Sequence, residues 1–85
     1  NKDVRSRLLA FFYNLALMEG YDGTAPSFTI SNFLTHEDIA RLIGSARQTV
    51  TTLINQLEAD GLVKMTRKKI ILPDAKKIRQ LVVVT

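Results

Sequence analysis

The sequence contains no cysteine and no tryptophan, and it has one histidine and two prolines among its 85 residues. Without cysteine there is neither a disulfide framework nor a zinc site with cysteine ligands, so secretion is not favoured and a cytoplasmic location is expected. The longest apolar stretch, residues 8–18, is interrupted only by Asn14. It is about half as long as the roughly 20 residues that cross a membrane. We therefore expect a buried helix there and no membrane partner.

Residue types that carry out catalysis are few and scattered. The single histidine, His36, falls in the first turn of a short predicted helix, where a surface position is expected. Asp3, Asp22 and Asp74 stand at turn or cap positions without the spacing of a shared set of metal ligands. We therefore expect no enzymatic activity and no metal or cofactor bound by this chain.

Length and charge distribution favour one small domain with a basic face. A chain of 85 residues with 46% hydrophobic and 24% charged side chains suits a single modest core. The net charge is +4, but residues 61–85 carry seven basic and one acidic side chain, a net of +6, while residues 1–60 have a net charge of −2. This asymmetry indicates a surface for a polyanion, although a solvated lysine-rich tail would give the same pattern.

The amino-terminal part predicts a long helix, a loop and a short strand. The helix covers about residues 2–19 and ends at a glycine, turn-forming residues fill 21–27, and alternation predicts a strand over 28–30, followed by a turn at Ser31 and Asn32. Apolar residues run nearly all the way round the helix. We expect one side of this helix to pack against the domain core. The other side is expected to pack against a segment outside this chain, most directly one that lies upstream of it.

The middle of the chain predicts two helices joined by a tight turn. A capping box of Thr35 and Asp38 opens a helix over residues 36–43, and Gly44 ends it. After a turn of residues 44–46, a second capping box of Ser45 and Gln48 is expected to open the next helix, at about 46–60. Its apolar residues recur at the spacing of one helix face, which is expected to be buried: Val50, Leu53, Ile54 and Leu57.

The carboxyl-terminal part predicts a β-hairpin and a last helix. Apolar runs at 62–65 and 70–72 flank a basic tip at 66–69, so residues 62–72 form the predicted wing. Proline and aspartate then open a helix over 75–81, and residues 82–85 fit either a strand or a frayed end. The predicted fold is mainly α with a small β-hairpin: a winged helix-turn-helix with a three-helix core plus wing.

A helix-turn-helix inserts its second helix into the major groove of DNA. The outward face of that helix carries side chains that can read base edges: Arg47, Gln48, Thr51, Thr52 and Asn55. Threonine is a poor helix former, so stability alone would favour alanine, glutamate or lysine over three threonines. A merely solvated polar face is the alternative interpretation. For the phosphate backbone we predict contacts from helix and wing residues: Thr35, Ser45, Thr49, Arg67, Lys68 and Lys69.

Three stretches of the chain resemble the DNA-binding domain of CRP/FNR-type transcription regulators. They are residues 34–40 (LTHEDIA), residues 42–50 (LIGSARQTV) and residues 57–63 (LEADGLV). Residues 4–9 with 14–16 resemble the helix that opens that domain, so the similarity covers nearly the whole chain. The pattern T-H-x-x-I-A followed by I-G-x-x-R-x-T-V is fairly specific.

The resemblance implies a homodimer that binds an inverted-repeat operator in double-stranded DNA, with RNA polymerase as a further partner. It also implies an upstream sensor domain and a dimerisation helix, so residues 1–85 are expected to be a fragment that lacks both, and the effector is unknown. By the same match Arg47 and Gln48 take the main base-reading positions. Many members carry glutamate in place of Gln48 and arginine in place of Thr52, so the resemblance does not fix the operator.

Two other functions fit the predicted fold. A winged helix can serve as a protein-interaction module, because a fold does not determine a function. Such a module is expected to expose aromatic or apolar residues at the wing tip, whereas this tip contains only Thr66, Arg67, Lys68 and Lys69. RNA binding is a third option, but the sequence has no stacking aromatic residues on its predicted sheet surface.

Overall fold

A computed structural model of the protein describes residues 3–31 and 34–83. Within these ranges the chain forms helices and strands in this order: α1 (Val4–Met18), β1 (Phe28–Ser31), α2 (His36–Ile43), α3 (Arg47–Ala59), β2 (Lys64–Met65), β3 (Lys69–Leu72) and α4 (Ala75–Val83). Four helices with a small antiparallel sheet make a winged helix-turn-helix. The predicted fold class is confirmed.

The sheet contains three strands in the order β1-β3-β2, and both pairings are antiparallel. β2 and β3 form the wing, with Met65 opposite Ile70. β1 adds to the free edge of β3, with Ile30 opposite Ile70 and Ser31 opposite Lys69. The sequence predicted the strand at 28–30 but not its partner, because β1 and β3 are separated by two helices. The wing is therefore anchored to the amino-terminal half of the chain.

One hydrophobic cluster holds the domain together, with side chains from every helix and from the sheet. Its largest fully buried side chains include Phe12, Leu8, Ile39, Ile54, Leu57, Ile70 and Ile78. In α3 the predicted stripe is confirmed: Val50, Ile54 and Leu57 are buried, and Leu53 packs against the cluster while partly exposed. α3 is thus fixed by one face, and its opposite face is turned outward.

The surface of α1 is covered mostly from inside the chain. α1 contacts α2, β1 and α4, and Leu8, Phe12 and Ala16 have no exposed surface. The expectation that a whole side of this helix lacks a partner is wrong, because α4 supplies one. Leu17 and Met18, at the end of α1, stay exposed.

Several predicted boundaries move by a few residues. Ser31 belongs to β1 rather than to a turn, the first wing strand begins at Lys64 rather than Leu62, and α4 continues to Val83. Leu62 and Val63 are buried in the core, and the Leu62 amide donates to the Leu57 carbonyl at 2.9 Å, so Leu62 belongs to the turn that ends α3 rather than to the strand pairing. The predictions for Asn32 and for residues 84–85 fall outside the described residues.

Candidate nucleic-acid interface

The start of α2 is fixed by its predicted capping box. The Thr35 hydroxyl accepts from the Asp38 amide at 3.0 Å, and the Asp38 carboxylate accepts from the Thr35 amide at 2.9 Å. The Arg41 guanidinium donates to the same carboxylate at 3.0 Å. Hydrogen bonds from the Thr35 amide and side chain, and then from Arg41, hold the pKa of Asp38 below its usual value. The first turn of α2 is therefore rigid and carries an ionised carboxylate.

The turn between α2 and α3 is set by Gly44, whose φ of 74° lies in the left-handed region. The Ser45 amide then donates to the Ala40 carbonyl at 2.9 Å, which closes the end of α2. The predicted capping box of Ser45 with Gln48 is wrong. α3 begins at Arg47, so its N-cap is Ala46, which forms no side-chain cap, and Ser45 lies one residue too early to cap it.

Two arginines of α1 contact the carboxyl-terminal ends of α2 and α3. The Arg7 guanidinium donates to the carbonyl of Ile43, the last residue of α2. Arg5 forms an ion pair with Asp60, the C-cap of α3, at 2.7 Å. These contacts join residues 36 and 55 positions apart, so no local pattern in the sequence indicates them. They connect the carboxyl-terminal ends of α2 and α3 to α1.

The outward face of α3 carries the predicted base-reading residues. Arg47, Gln48, Thr52 and Asn55 are all exposed, as is Thr49, which was predicted to contact phosphate. The pairs Gln48 with Thr52 and Thr51 with Asn55 are one turn apart, so they are neighbours on this face. Arg47, Gln48 and Thr51 together line a shallow depression near the start of the helix. The structure thus gathers the five residues on one side of one helix.

Thr51 differs from the other four because it is half-buried and has a partner in α2. Its hydroxyl oxygen lies 2.8 Å from Nδ1 of His36. His36 was predicted to be an ordinary surface residue, and that prediction is wrong, since its ring is half-buried against α3. No local pattern links residues 15 positions apart, so only the packing of α2 on α3 brings them together.

The tip of the wing is a tight basic turn. The Thr66 amide donates to the Lys69 carbonyl at 2.9 Å, and the Lys69 amide donates to the Thr66 hydroxyl at 3.1 Å. Arg67, Lys68 and Lys69 are exposed, as is Lys64 at the start of β2. The wing is tied to α3 by Glu58, whose carboxylate accepts from the Met65 amide at 3.1 Å, a contact the sequence analysis did not predict.

A groove joins the start of α2 to the wing. It encloses about 450 Å³ and is lined by Leu34, Thr35, His36, Met65, Thr66 and Arg67. His36 faces this groove and also bonds Thr51, which lines the neighbouring depression on α3. The start of α2, the outward face of α3 and the wing therefore lie side by side, with basic side chains on α3 and on the wing and with Leu34 and Met65 in the groove between α2 and the wing.

Among residues 3–31 and 34–83 there is no group of three or more histidine, aspartate or glutamate side chains that could hold a metal ion. Within the same described ranges no helix is both long and apolar enough to cross a membrane.

The chain matches the family of the Crp-like helix-turn-helix domain over residues 6–81. It is 38% identical over 71 residues to the global nitrogen regulator of Synechocystis sp., an alignment that covers 82% of this chain and 31% of that protein. The corresponding regulator of Nostoc sp. is 37% identical over 70 residues, with the same coverage. The chain thus spans about a third of the length of these relatives.

Solved structures of two other proteins share the fold of this chain. The CO-dependent transcription factor CooA from Carboxydothermus hydrogenoformans matches with a TM-score of 0.78 and 28% identity, covering 93% of this chain and 36% of that one. Reduced CprK matches with a TM-score of 0.80 at 20% identity, covering 95% of this chain and 38% of that one, and this likeness concerns the fold alone. The chain therefore belongs to the Crp-like helix-turn-helix family, the DNA-binding domains of CRP/FNR transcription regulators.

Proposed function

We propose that α3 enters the major groove of double-stranded DNA and reads bases through its outward face. The observation that carries the proposal is the division of this helix: Arg47, Gln48, Thr52 and Asn55 are exposed on one side while the other side is buried in the core. Arginine can bind guanine O6 and N7 together, and glutamine or asparagine matches adenine N6 and N7. Threonine offers a hydroxyl to a base and a methyl group to thymine.

We propose that the surrounding residues contact phosphates and fix the position of α3. Arg67, Lys68 and Lys69 on the wing supply positive charge, which binds DNA of any sequence. Thr35 is exposed at the start of α2, and its hydroxyl, which accepts from a backbone amide, can still donate its hydrogen to a phosphate oxygen. In this proposal Ser45, in the turn before α3, and Thr49, in the first turn of α3, contact phosphates as well.

For the whole regulator we propose a homodimer on an inverted repeat. The domain measures 33 × 30 × 23 Å. Two copies side by side can therefore bring their recognition helices about 34 Å apart, the separation of successive major grooves on one face of DNA. In this proposal residues 1–85 are the DNA-reading domain, while a sensor domain and a dimerisation helix lie elsewhere in the protein. The domain acts in the cytoplasm without a catalytic role, and RNA polymerase is a further partner of the dimer.

Selection from random duplex DNA tests the proposal, followed by titration of the selected site and of an unrelated duplex. We expect Arg47→Ala to weaken binding to the selected site by about 1–3 kcal/mol and to change binding to the unrelated duplex little. Gln48→Ala should change the base preference at one position per half-site. Asn14→Ala, an exposed change on α1, is the matched control and should leave both affinities unchanged. Equal losses on both duplexes would assign Arg47 to phosphate contact only.

A protein-interaction module is not favoured as the alternative. Among the described residues, the large apolar side chains that stay exposed are Leu17, Met18, Leu42 and Leu81. They lie on α1, α2 and α4, so the wing and the outward face of α3 offer charge and hydrogen-bonding groups rather than an apolar patch.

A further inference from the structure

The contact between His36 and Thr51 joins a side chain that can change its charge to one that faces the DNA. Nδ1 of His36 and the hydroxyl oxygen of Thr51 are 2.8 Å apart, and both side chains are half-buried. On its other side Thr51 lines the depression shared with Arg47 and Gln48. One hydroxyl group therefore lies between the imidazole and the base-reading surface.

A threonine hydroxyl has one hydrogen to donate and two lone pairs that accept. A neutral imidazole with its proton on Nε2 has an acceptor at Nδ1, so Thr51 must give its only hydrogen to His36. The oxygen of Thr51 can then only accept from a base. A charged imidazole has N–H groups at both positions, so Nδ1 donates to Thr51 and the hydroxyl hydrogen becomes free to point elsewhere.

We propose that His36 is a positioning residue for base recognition, whose protonation changes Thr51 from an acceptor into a donor. The proposal rests on the proposed function, because it requires Thr51 to face a base. In the major groove the acceptor form suits the amino groups of adenine N6 and cytosine N4. The donor form suits guanine O6 and N7 or thymine O4. The same protein then prefers different bases at one position as the pH changes.

The groups around the imidazole carry charges of both signs. Arg67 of the wing lines the same groove, and Arg47 lies one turn before Thr51 on α3. On its own helix His36 is followed by Glu37 and by Asp38, whose carboxylate is engaged by Thr35 and Arg41. Arginine and ordinary carboxylate side chains keep their charge between about pH 5.5 and about pH 8, whereas histidine side chains titrate there. The sequence contains one histidine, so any effect of imidazole protonation traces to His36.

The experiment is a base-selection profile for the 85-residue protein at about pH 5.5 and about pH 8, at matched ionic strength. We expect the ratio of guanine to cytosine at one position per half-site to rise about two- to tenfold at the lower pH, the value of one hydrogen bond. Thr51→Val keeps the shape of the side chain without the hydroxyl and should abolish this shift. The matched control is Thr29→Val, the same change at an exposed position on β1, and it should keep the full shift.

Nitrogen NMR of the single histidine provides a second measurement that does not depend on DNA. We expect the neutral ring to carry its proton on Nε2, and a proton found on Nδ1 at about pH 8 would overturn the proposal. A sequence preference that is identical at both pH values would also overturn it while leaving base reading intact. A pH-dependent change in base preference that persists in Thr51→Val would overturn the proposal as well. Absence of any sequence preference at either pH would instead refute the base-reading proposal, and this one with it.

Discussion

Gly44 allows a direct test of how the turn between α2 and α3 is stabilised. Its φ of 74° and ψ of 44° are left-handed, and a Cβ atom built there would meet only the Arg7 guanidinium, at 3.8 Å. That distance is an ordinary van der Waals contact, so Gly44→Ala creates no clash. Its cost comes from the backbone alone, about 1–2 kcal/mol for a non-glycine residue in this conformation. Alanine also restricts the unfolded chain, which offsets about 0.4–1 kcal/mol.

We therefore expect Gly44→Ala to lower the free energy of unfolding by about 1 kcal/mol. For a domain of this size that loss lowers the urea midpoint by roughly 0.5–1 M and the melting temperature by about 4–8 °C. Gly44→Asn should lose less, because asparagine tolerates the left-handed region better than alanine. Urea unfolding followed by circular dichroism measures all three proteins.

Gly61 is the matched control for this prediction. It has a φ of 75° and nothing within 4 Å of a built Cβ atom, so Gly61→Ala should cost about the same as Gly44→Ala. Agreement between the two would show that backbone conformation is the cause. A Gly44→Ala protein as stable as the original would refute the reasoning. A loss beyond about 3 kcal/mol would do so as well, because it would require a steric clash that the structure does not contain.

Three further changes test the surface around α3. Replacing Lys68 and Lys69 by alanine should weaken binding to specific and unrelated DNA alike. It should also reduce the slope of log affinity against log salt concentration by up to about 2. An unchanged slope in titrations over a salt series would mean that the wing does not contact the DNA. Asp38→Asn should lower the urea midpoint at neutral pH, and this loss should shrink progressively as the pH falls below 3.8. Hydrogen bonds from Thr35 hold the pKa of Asp38 below its ordinary value of 3.8, so its stabilisation is present above that value and is lost as the pH falls through the folded-state pKa. A loss of stability in Asp38→Asn that persists in acid would show that the ionised carboxylate is not its cause. Glu58→Ala should speed hydrogen exchange in the wing, because it removes the acceptor of the Met65 amide. Glu58→Gln should speed it much less, since glutamine keeps a carbonyl acceptor. Equal exchange in the two variants would mean that this hydrogen bond does not stabilise the wing.

The start of α2 and the turn that follows this helix could be predicted from the sequence because their causes are local. Thr35 and Asp38 are three positions apart, so one turn of chain contains the whole capping box. Gly44 alone determines the left-handed cap that follows. The buried face of α3 follows from helical spacing, and its outward residues follow by exclusion. The candidate site could be predicted to this extent because it lies on one helix and one hairpin.

Contacts between distant segments were decided by the tertiary structure. The pairing of β1 with β3, the cover that α4 gives to α1 and the bond between His36 and Thr51 each join segments with no pattern in common. Such contacts depend on how helices and strands are oriented once the apolar cluster has formed, and residue spacing carries no information about that orientation. For this reason the sequence indicated Thr51 as a reader of bases, while only the folded chain gave it a histidine partner.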